Sequence, residues 1–297
     1  MSELQVDVEG RTLTISNLDK VLYPRTGTTK GEVLHYYAAV APVLLPHLKD
    51  RAVTRIRWPH GVEGSSFFEK NAPAGTPSWV RTAEVPTTGS RTGKGDGTLR
   101  FPICDDLATL TWLANLAALE LHVHQWTVEA DGTPRHPDRL VIDLDPGEPA
   151  GLHECAQVAL MVRDALAERD LTCTPVTSGS KGLHLYARMD GSLDSDGTTA
   201  LAKEVAEALQ KEHPELVTSV MTKAKRPGKV FLDWSQNSGS KTTVSPYSLR
   251  GRERPTVAAP LTWDEVEEGA EDDLALEQLG MDQVLDRVAR LGDVFDA

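Results

Sequence analysis

Six segments between residues 139 and 234 have strand or helix patterns, and their order restricts the fold to a few topologies. Short apolar runs predict strands, and longer runs with apolar residues at helical spacing predict helices. The predicted strands cover residues 139–145, 172–177, 183–189 and 229–234, and the predicted helices cover residues 151–169 and 199–212. The resulting order, βαββαβ, predicts one antiparallel sheet with its helices on one face.

The part of the chain before residue 139 predicts further helices and strands. Thr29 and Glu32 have the spacing of a capping box, so a helix should begin near residue 30. Pro42 and Pro46 should limit the regularity of that helix. Other expectations are a strand at residues 52–58, a mobile loop at residues 82–100 and a helix-length apolar pattern within residues 105–122. We therefore predict an α+β fold, in which an RRM-like antiparallel sheet with flanking helices follows an N-terminal α/β portion.

The net charge of −13 is unusual for a protein that binds nucleic acid, but the charge is unevenly distributed. Residues 264–297 contain twelve acidic residues and, as bases, Arg287 and Arg290, so the rest of the chain is nearly neutral. Basic residues there are grouped at residues 51–57, 223–229 and 250–254. Such groups can focus a field on phosphate, although a solvated surface is the commoner role of any one group. We expect one domain across residues 1–297 with an acidic helical end.

The cysteines and the apolar runs exclude some classes of protein. Cys104, Cys155 and Cys173 are odd in number and lack C-x-x-C spacing, which argues against a disulfide framework and a structural zinc site. No run approaches the roughly 18 apolar residues of a membrane span, and the acidic N-terminus differs from a secretory signal. We therefore expect a cytoplasmic protein without a membrane partner.

Two aspartates end the first strand of the predicted sheet. Asp143 and Asp145 are two residues apart, and the period of a strand places both carboxylates on one face. Close carboxylates repel each other unless a cation lies between them, and oxygen ligands favour Mg²⁺ or Mn²⁺. Asp233, near the end of another apolar strand, adds a third acid, and three acids can bridge two divalent ions for phosphoryl transfer. Solvated turn acids, a glycosyltransferase and a nuclease stay open as alternatives.

A glycine-rich turn lies between these acids in the sequence. Gly179 and Gly182 permit a close approach of the backbone to an anion. Ser178 can donate a hydroxyl group, and Lys181 supplies a positive charge for a triphosphate. His184 could bond a phosphate, although a histidine satisfied within the core is commoner. The turn alone is a weak signal, because ordinary hairpins use the same residues.

The D-x-D strand, the S-x-x-K-G-x-H turn and the later strand-borne aspartate together resemble the signature of the archaeo-eukaryotic primase superfamily. The chain is most similar to the polymerase domain of bacterial ligase D, the multifunctional end-joining ligase. Further matching runs begin at Asn17 (NLDKVLYP), Phe67 (FFEK), Leu119 (LELHVHQW), Lys229 (KVFLDWSQNSGSKTT) and Pro246 (PYSLRGR). The resemblance implies a primase-polymerase fold with a catalytic RRM-like sheet. Full-length ligase D also carries ligase and often nuclease modules, so the chain would be an excised domain or a stand-alone relative.

The resemblance also implies roles for individual residues. The catalytic ligands of two divalent ions, Mn²⁺ or Mg²⁺, would be Asp143, Asp145 and Asp233. Contacts with the incoming nucleotide are expected from His122, Ser178, Lys181, His184, Arg226, Gln236 and Arg250. Contacts with DNA are expected from Asn17, Lys20, Lys30, Arg57, Phe67 and Phe68. The choices of His122 and Gln236 rest on the resemblance alone. Residue type by itself does not distinguish His122 from the neighbouring His124.

Among the expected DNA contacts, Asn17, Lys20 and Lys30 match residues that grip the 5′-phosphate across a gap. We expect both lysines to be exposed, and Lys30 near a helix start would gain from exposed backbone N–H groups. Phe67 and Phe68 are adjacent aromatics that cannot both face a core from a strand, so one can stack on a DNA base.

The resemblance therefore predicts a template-directed nucleotidyltransferase, a DNA-directed polymerase that fills gaps and extends ends in bacterial non-homologous end joining. It implies a preference for ribonucleotides and Mn²⁺ and a nucleoid-associated location. The implied substrates are gapped duplex with a 5′-phosphate, other DNA ends, and NTP or dNTP; Ku and a DNA ligase are candidate partners. One alternative is a two-metal nuclease, which would leave Ser178, Lys181 and Arg250 without a triphosphate. Another is a non-catalytic DNA-end-binding module, which the three intact aspartates disfavour.

Overall fold

A computed structural model of the chain describes residues 3–87 and 97–295. Its strands are β1 (Glu3–Val8), β2 (Arg11–Ser16), β3 (Val21–Tyr23), β4 (Thr28–Thr29), β5 (Val53–Arg57), β6 (Phe67–Glu69), β7 (Thr82–Thr87), β8 (Gly97–Pro102), β9 (Ala118–Val123), β10 (Trp126–Val128), β11 (Pro134–Pro137), β12 (Arg139–Pro146), β13 (Cys173–Thr177), β14 (Leu183–Arg188), β15 (Val217–Thr218), β16 (Val230–Asp233) and β17 (Thr243–Val244). Its helices are α1 (Lys30–Leu48), α2 (Leu107–Asn115), α3 (Leu152–Ala167), α4 (Ser195–Glu212), α5 (Trp263–Glu271) and α6 (Met281–Leu291). In the part of the chain so described, no helix combines the length and apolar character needed to cross a membrane.

The chain forms two compact units, each assembled from separated stretches of sequence. Unit 1 contains Met1–Pro134, Val244–Val257 and Gly280–Gly292, and unit 2 contains Arg135–Thr243, Ala258–Leu279 and Asp293–Ala297. The acidic end of the chain is helical, with α5 in unit 2 and α6 in unit 1. One catalytic domain across the whole chain stays a prediction.

The sheet of unit 2 has the predicted βαββαβ order, with one additional short strand, β15, before the last strand. Its five strands lie in the order β13–β14–β12–β16–β15, with β12 between β14 and β16. The pairs β12–β14, β12–β16 and β13–β14 are antiparallel, whereas the two-residue β15 pairs with β16 in parallel. The prediction of an RRM-like antiparallel sheet within an α+β fold is confirmed.

Alternation along β12 separates the two faces of this sheet. Leu140, Ile142 and Leu144 are fully buried in a core that also contains Val158 of α3 and Val205 of α4. The residues between them point to the opposite face, because successive side chains of a strand alternate. The sheet therefore buries one face beneath its helices and carries its acidic residues on the other.

In unit 1, β5 lies between β9 and β6 and pairs antiparallel with both. The predicted capping box at the start of α1 is present, since Thr29 accepts from Glu32 N and the Glu32 carboxylate accepts from Thr29 N. Helix α1 continues through Pro42 and Pro46 to Leu48, so the expected limit on its regularity is not seen. Ten buried residues on this helix offset the hydrogen bonds that the prolines cannot donate.

The expected loop at residues 82–100 is in part a hairpin. Residues 82–87 and 97–102 pair as antiparallel strands β7 and β8, and Ala83, Val85 and Phe101 are buried. Polar and apolar residues alternate along β7, a strand signal that the loop interpretation overlooked. Residues 88–96 of the predicted loop lie outside the described residues.

The apolar pattern at residues 105–122 is not one helix. Helix α2 ends at Asn115, and β9 begins at Ala118. Ala117 between them has a φ of 57°, in the left-handed region, which ends the helix and redirects the chain into the sheet. Leu119 therefore belongs to a buried strand, although its three-residue spacing from Leu116 also fits a helix.

Candidate active site

The three predicted metal ligands lie on adjacent strands of the unit 2 sheet. The antiparallel register of β12 and β16 places Asp143 directly opposite Asp233. Asp145 follows two residues later on the same face of β12, opposite Phe231. Because directly opposed residues in a sheet have Cβ atoms about 4.5–5.5 Å apart, the fold brings three carboxylates to one small area.

Side-chain donors already contact these carboxylates. Gln236 Nε2 donates to Asp233 Oδ2 at 2.9 Å and lies 3.5 Å from Asp143 Oδ2. Arg226 Nη1 donates to Asp145 Oδ2 at 3.0 Å. Two of the predicted nucleotide contacts thus lie beside the acids, one as an amide between two carboxylates and one as the ion-pair partner of the third.

His184 contacts the acids from the other side of β12. It lies opposite Asp143 in the β12–β14 register, and its Nε2 is 3.3 Å from Asp143 Oδ1. Its Nδ1 is 3.5 Å from the hydroxyl group of Tyr186. His184 is buried and has polar partners, as a satisfied core histidine would be, and it also touches an acid of the site; its contact with a phosphate stays a prediction.

The surroundings of Asp145 disfavour its negative charge. Burial, and then the carboxylate of Asp143, raise the pKa of Asp145; Arg226 and Lys181 lower it, and Asp233 raises it further. Carboxylates that repel one another in this way have donor chemistry that fits a hard divalent cation. Across residues 3–87 and 97–295, no three His, Cys, Asp or Glu side chains are grouped closely enough to hold a metal ion as they stand. The amide and guanidinium donors described above contact oxygens that such an ion would need.

The turn between β13 and β14 is closed by Ser178. Its Oγ accepts from the N–H groups of Ser180 at 3.2 Å and Gly182 at 3.1 Å. Two N–H groups of this turn are therefore bonded within the turn itself. A Cβ atom at Gly182 would lie 1.8 Å from Leu144 O, so this position requires glycine. Lys181 stands on the surface of the turn with 63% of its side chain exposed.

Unit 1 contains a second group of predicted nucleotide contacts, around the buried Glu120. Glu120 Oε2 lies 2.7 Å from Nε2 of His122, two residues along β9. Arg250 Nε lies 3.3 Å from Glu120 Oε1, which also accepts a hydrogen bond from Gly251 N at 2.9 Å. The structure thus brings His122 and Arg250 to the same carboxylate.

The neighbouring His124 has a structural role. It is buried, its ring stacks on Trp126 with centroids 4.1 Å apart, and its Nδ1 lies 3.3 Å from Ala52 O. Burial, followed by the charge of Lys70, lowers the pKa of His124 to about 3. His124 is therefore a neutral core histidine, whereas 14% of the His122 side chain is exposed.

The predicted 5′-phosphate contacts lie together at the start of α1. Lys20 N donates to Asn17 O at 3.0 Å, and Lys30 N donates to Lys20 O at 2.8 Å. The expectation that both lysines are exposed is wrong: Lys30 is 5% exposed, and Lys20 is partly buried. Its ammonium group donates to Ser16 O and Asn115 Oδ1, each at 2.6 Å. Burial, and then the charge of Lys20, lower the pKa of Lys30 to about 8.

The other predicted DNA contacts lie on or beside the edge strand β6. Phe67 is 47% exposed and Phe68 is 59% exposed, so both rings reach solvent. The sequence argument had required exposure of only one of them. Arg57, opposite Phe67, donates to Glu69 Oε1 at 2.9 Å and to Leu116 O at 2.7 Å. The strand offers two aromatic surfaces next to an arginine that already has protein partners.

Four residues beside these groups were not identified from the sequence: Glu120, Tyr186, Ser235 and Lys241. The Ser235 hydroxyl donates to Asp233, and the Lys241 ammonium donates to Ser235. The available signal for Glu120 and Tyr186 was their two-residue spacing from His122 and His184 on predicted strands. The contact of Lys241 depends on how the segment after β16 folds, and no pattern in the sequence indicates it.

Comparison of the sequence with known proteins finds one family, and the relatives described below carry its name. The family described as "LigD, primase-polymerase domain" matches residues 29–295. The multifunctional non-homologous end joining DNA repair protein LigD of Mycobacterium tuberculosis is 52% identical over 289 residues, covering 96% of this chain and 36% of that protein. The bifunctional non-homologous end joining protein LigD of Bacillus subtilis is 35% identical over 284 residues, covering 95% of this chain and 43% of that protein. The chain thus spans less than half the length of these relatives.

A solved structure supports the same relationship. The polymerase domain from Mycobacterium tuberculosis ligase D in complex with DNA matches with a TM-score of 0.87 and 52% sequence identity. The match covers 95% of this chain and 96% of that one. The matches include the strands that carry Asp143, Asp145 and Asp233, and the chain belongs to the LigD primase-polymerase domain family.

Proposed function

We propose that the chain is a template-directed nucleotidyltransferase that extends a 3′-hydroxyl at gapped or broken DNA during non-homologous end joining. The observation that carries this proposal is the register of the unit 2 sheet, which opposes Asp143 to Asp233 and places Asp145 on the same face. The family supports it, because its relatives are named for end joining and include a polymerase domain.

The proposed ligands of two divalent ions, Mn²⁺ or Mg²⁺, are Asp143, Asp145 and Asp233. Such ions, when bound, acidify the primer hydroxyl and neutralise the triphosphate. The carboxylates bind and orient without attacking the substrate, so no covalent enzyme intermediate forms. Gln236 and Arg226 must leave their present carboxylate partners before all the oxygens become available, and triphosphate oxygens are suitable new acceptors for both.

The incoming nucleotide is proposed to be an NTP in preference to a dNTP. Its proposed contacts are His122, Ser178, Lys181, His184, Arg226, Gln236 and Arg250. A triphosphate needs cationic partners for its outer oxygens even when divalent ions are present. The exposure of Lys181 and the position of Arg226 beside Asp145 support this assignment.

The proposed nucleic-acid substrate is a DNA end or gapped duplex with a 5′-phosphate. The exposed rings of Phe67 and Phe68 support base stacking, and the grouping of Asn17, Lys20 and Lys30 supports phosphate capture. Arg57 is the remaining proposed DNA contact. Ku and a DNA ligase are proposed partners of the protein in a bacterial cytoplasm, in association with the nucleoid.

Primer extension on a gapped duplex tests the proposed activity. The wild-type chain should extend the primer in Mn²⁺, with rNTP used better than dNTP. Asp143→Asn and Asp233→Asn should each abolish extension, because each removes a charged ligand while keeping the shape of the side chain. Asp196→Asn, at an exposed position in the first turn of α4, is the matched control and should extend like the wild type.

The same assay separates the alternatives, neither of which the family favours. A two-metal nuclease would shorten the labelled strand in the absence of nucleotide, and it would lose that activity in the aspartate variants. A non-catalytic DNA-end-binding module would bind the duplex equally in all variants and extend it in none. Extension that persists in Asp143→Asn would refute the assignment of the acids.

A further inference from the structure

We propose that Glu120 is a positioning residue that holds His122 and Arg250 in place for the triphosphate of the incoming nucleotide, an inference that rests on the function proposed above. The starting observation is one buried carboxylate with three partners. Its Oε2 is 2.7 Å from His122 Nε2, and its Oε1 lies 3.3 Å from Arg250 Nε and 2.9 Å from the donating Gly251 N. Glu120 is 4% exposed, so in this arrangement it must act on a ligand through these partners.

The carboxylate of Glu120 stays ionised in spite of its burial. Desolvation raises the pKa of Glu120, but the hydrogen bond and charge of His122, the charge of Arg250 and the Gly251 N–H together lower it to about 2. His122 and the Gly251 N–H are therefore held by hydrogen bonds to an ionised carboxylate across the neutral pH range, and Arg250 is held by an ion pair with it. An ionised carboxylate that lost them would be left buried without compensation, which favours the arrangement observed.

The backbone that carries Arg250 is fixed by separate contacts. Tyr23 Oη donates to Arg250 O at 2.9 Å, and Tyr23 is fully buried. A Cβ atom at Gly251 would lie 2.2 Å from the ring of Trp58, so the next residue is packed directly on that ring. With the backbone held in this way, the direction of the guanidinium group depends on side-chain contacts. The contact of its Nε with Glu120 restricts that freedom.

Restricting these side chains favours binding of a nucleoside triphosphate. An arginine or histidine that is already oriented loses less conformational entropy when it contacts a phosphate. Glu120 contacts Arg250 through Nε, whereas the terminal amino groups of a guanidinium are the pair that can fork onto phosphate oxygens. A purely electrostatic role has the opposite sign, because a buried negative charge that did no positioning would repel the triphosphate.

The variant Glu120→Gln separates these two roles. It keeps the shape of the side chain and an acceptor for Gly251 N–H, but it removes the charge that holds His122 and Arg250. The dissociation constant of an rNTP with Mn²⁺, the KM and kcat of primer extension, and the affinity for gapped duplex are compared with the wild type. We expect the nucleotide Kd and KM to rise about tenfold, as for the loss of one charge-assisted contact. DNA affinity and kcat should change by less than about threefold.

Three further variants test whether the effect is specific to Glu120 and whether it acts through Arg250. Glu84→Gln, at an exposed position on β7 of the same unit, is the matched control and should bind nucleotide like the wild type. Tyr23→Phe removes the hydroxyl that bonds Arg250 O and keeps the ring, so it should raise the nucleotide KM by a smaller factor. In an Arg250→Ala background the effect of Glu120→Gln should shrink, because one of the two partners through which it acts is missing.

The outcomes distinguish this inference from the proposed function. A folded Glu120→Gln protein that binds nucleotide as well as the wild type, or more tightly, overturns the positioning role. An undiminished effect in the Arg250→Ala background also overturns it. If Glu120→Gln does not fold, a wild-type nucleotide KM for Tyr23→Phe overturns the inference. A wild-type chain that neither binds rNTP with Mn²⁺ nor extends a primer instead overturns the proposed function itself.

Discussion

Lys30 carries its positive charge in a place that water hardly reaches. Two acceptors, Ser16 O and Asn115 Oδ1, receive hydrogen bonds from its ammonium group at 2.6 Å. Burial and the nearby charge of Lys20 still lower the pKa of Lys30 to about 8, so the charged form is tolerated rather than favoured. Capture of a phosphate by this group would therefore depend mainly on Lys20, with Lys30 supporting the first turn of α1.

The pKa of Lys30 predicts how stability changes with pH. Above about pH 8 the native state loses this proton while the unfolded chain keeps it up to about pH 10.5. Because the unfolded state then binds more protons, the free energy of unfolding should gain a favourable contribution as pH rises through this window. Between pH 7.5 and pH 9.5 the gain should be roughly 1–2 kcal/mol, and it should be missing in Lys30→Met.

Urea unfolding of both proteins at several pH values measures this contribution. The absolute stability of Lys30→Met will also fall through its lost hydrogen bonds, so the change with pH is the quantity to compare. Lys49→Met, at an exposed lysine, controls for the loss of a surface charge and should keep the wild-type dependence. Parallel curves for the wild type and Lys30→Met would show that Lys30 keeps its proton throughout.

At the scale of strands and helices, the sequence predicted elements with distinctive local signals and missed those whose boundaries depend on tertiary structure. The D-x-D strand, the turn after β13 and the capping box of α1 each have such a signal. The change from α2 to β9 depends on one residue, Ala117, with a positive φ, inside a continuous apolar pattern. The contact of Gln236 with Asp233 likewise requires a 3₁₀ turn after β16, which Asn237 fixes by bonding Val141 of β12.

The turn between β13 and β14 should not accept a side chain at Gly182. A Cβ atom there would lie 1.8 Å from Leu144 O, a backbone atom of the strand that carries the acids. We expect Gly182→Ala to lower the free energy of unfolding by roughly 2–3 kcal/mol, because the backbone of β12 or of the turn must move. Chemical denaturation measures the effect, with Gly31→Ala as the matched control.

Gly31 lies in the first turn of α1, where the nearest atom to a new Cβ is Leu18 O at 3.4 Å, an ordinary contact. Alanine there should leave stability unchanged or raise it by up to about 1 kcal/mol, because it favours the helix. Equal stability of Gly182→Ala and Gly31→Ala would mean that the turn can shift away from β12 without cost.

At the scale of the whole molecule, the groups of proposed contacts come from distant parts of the sequence. Glu120 and Arg250 are 130 positions apart, and Asp143 and Asp233 are 90 positions apart. The two aspartates were recognisable from the strands that carry them, and the role of Arg250 came from the family resemblance, whereas Glu120 was not identified until unit 1 was folded. The net charge of −13 adds a consequence for DNA, since the net negative charge of the molecule repels phosphate. Local contacts must then account for most of the affinity.

A phosphate at a recessed 5′ end should therefore have a clear effect on binding. We expect gapped duplex with a 5′-phosphate to bind about tenfold more tightly than the same duplex with a 5′-hydroxyl at low salt, as for one charge-assisted contact. Lys20→Ala should remove most of this preference, while Lys49→Ala, at an exposed lysine, should leave it unchanged. The preference should decrease as salt rises, because part of it comes from counterion release. Fluorescence anisotropy with both duplexes at two salt concentrations measures the preference and its salt dependence in the wild type and in both variants. Equal affinity for the two ends at low salt would mean that the grouping of Asn17, Lys20 and Lys30 stabilises the start of α1 and has no role in recognising the far side of a gap.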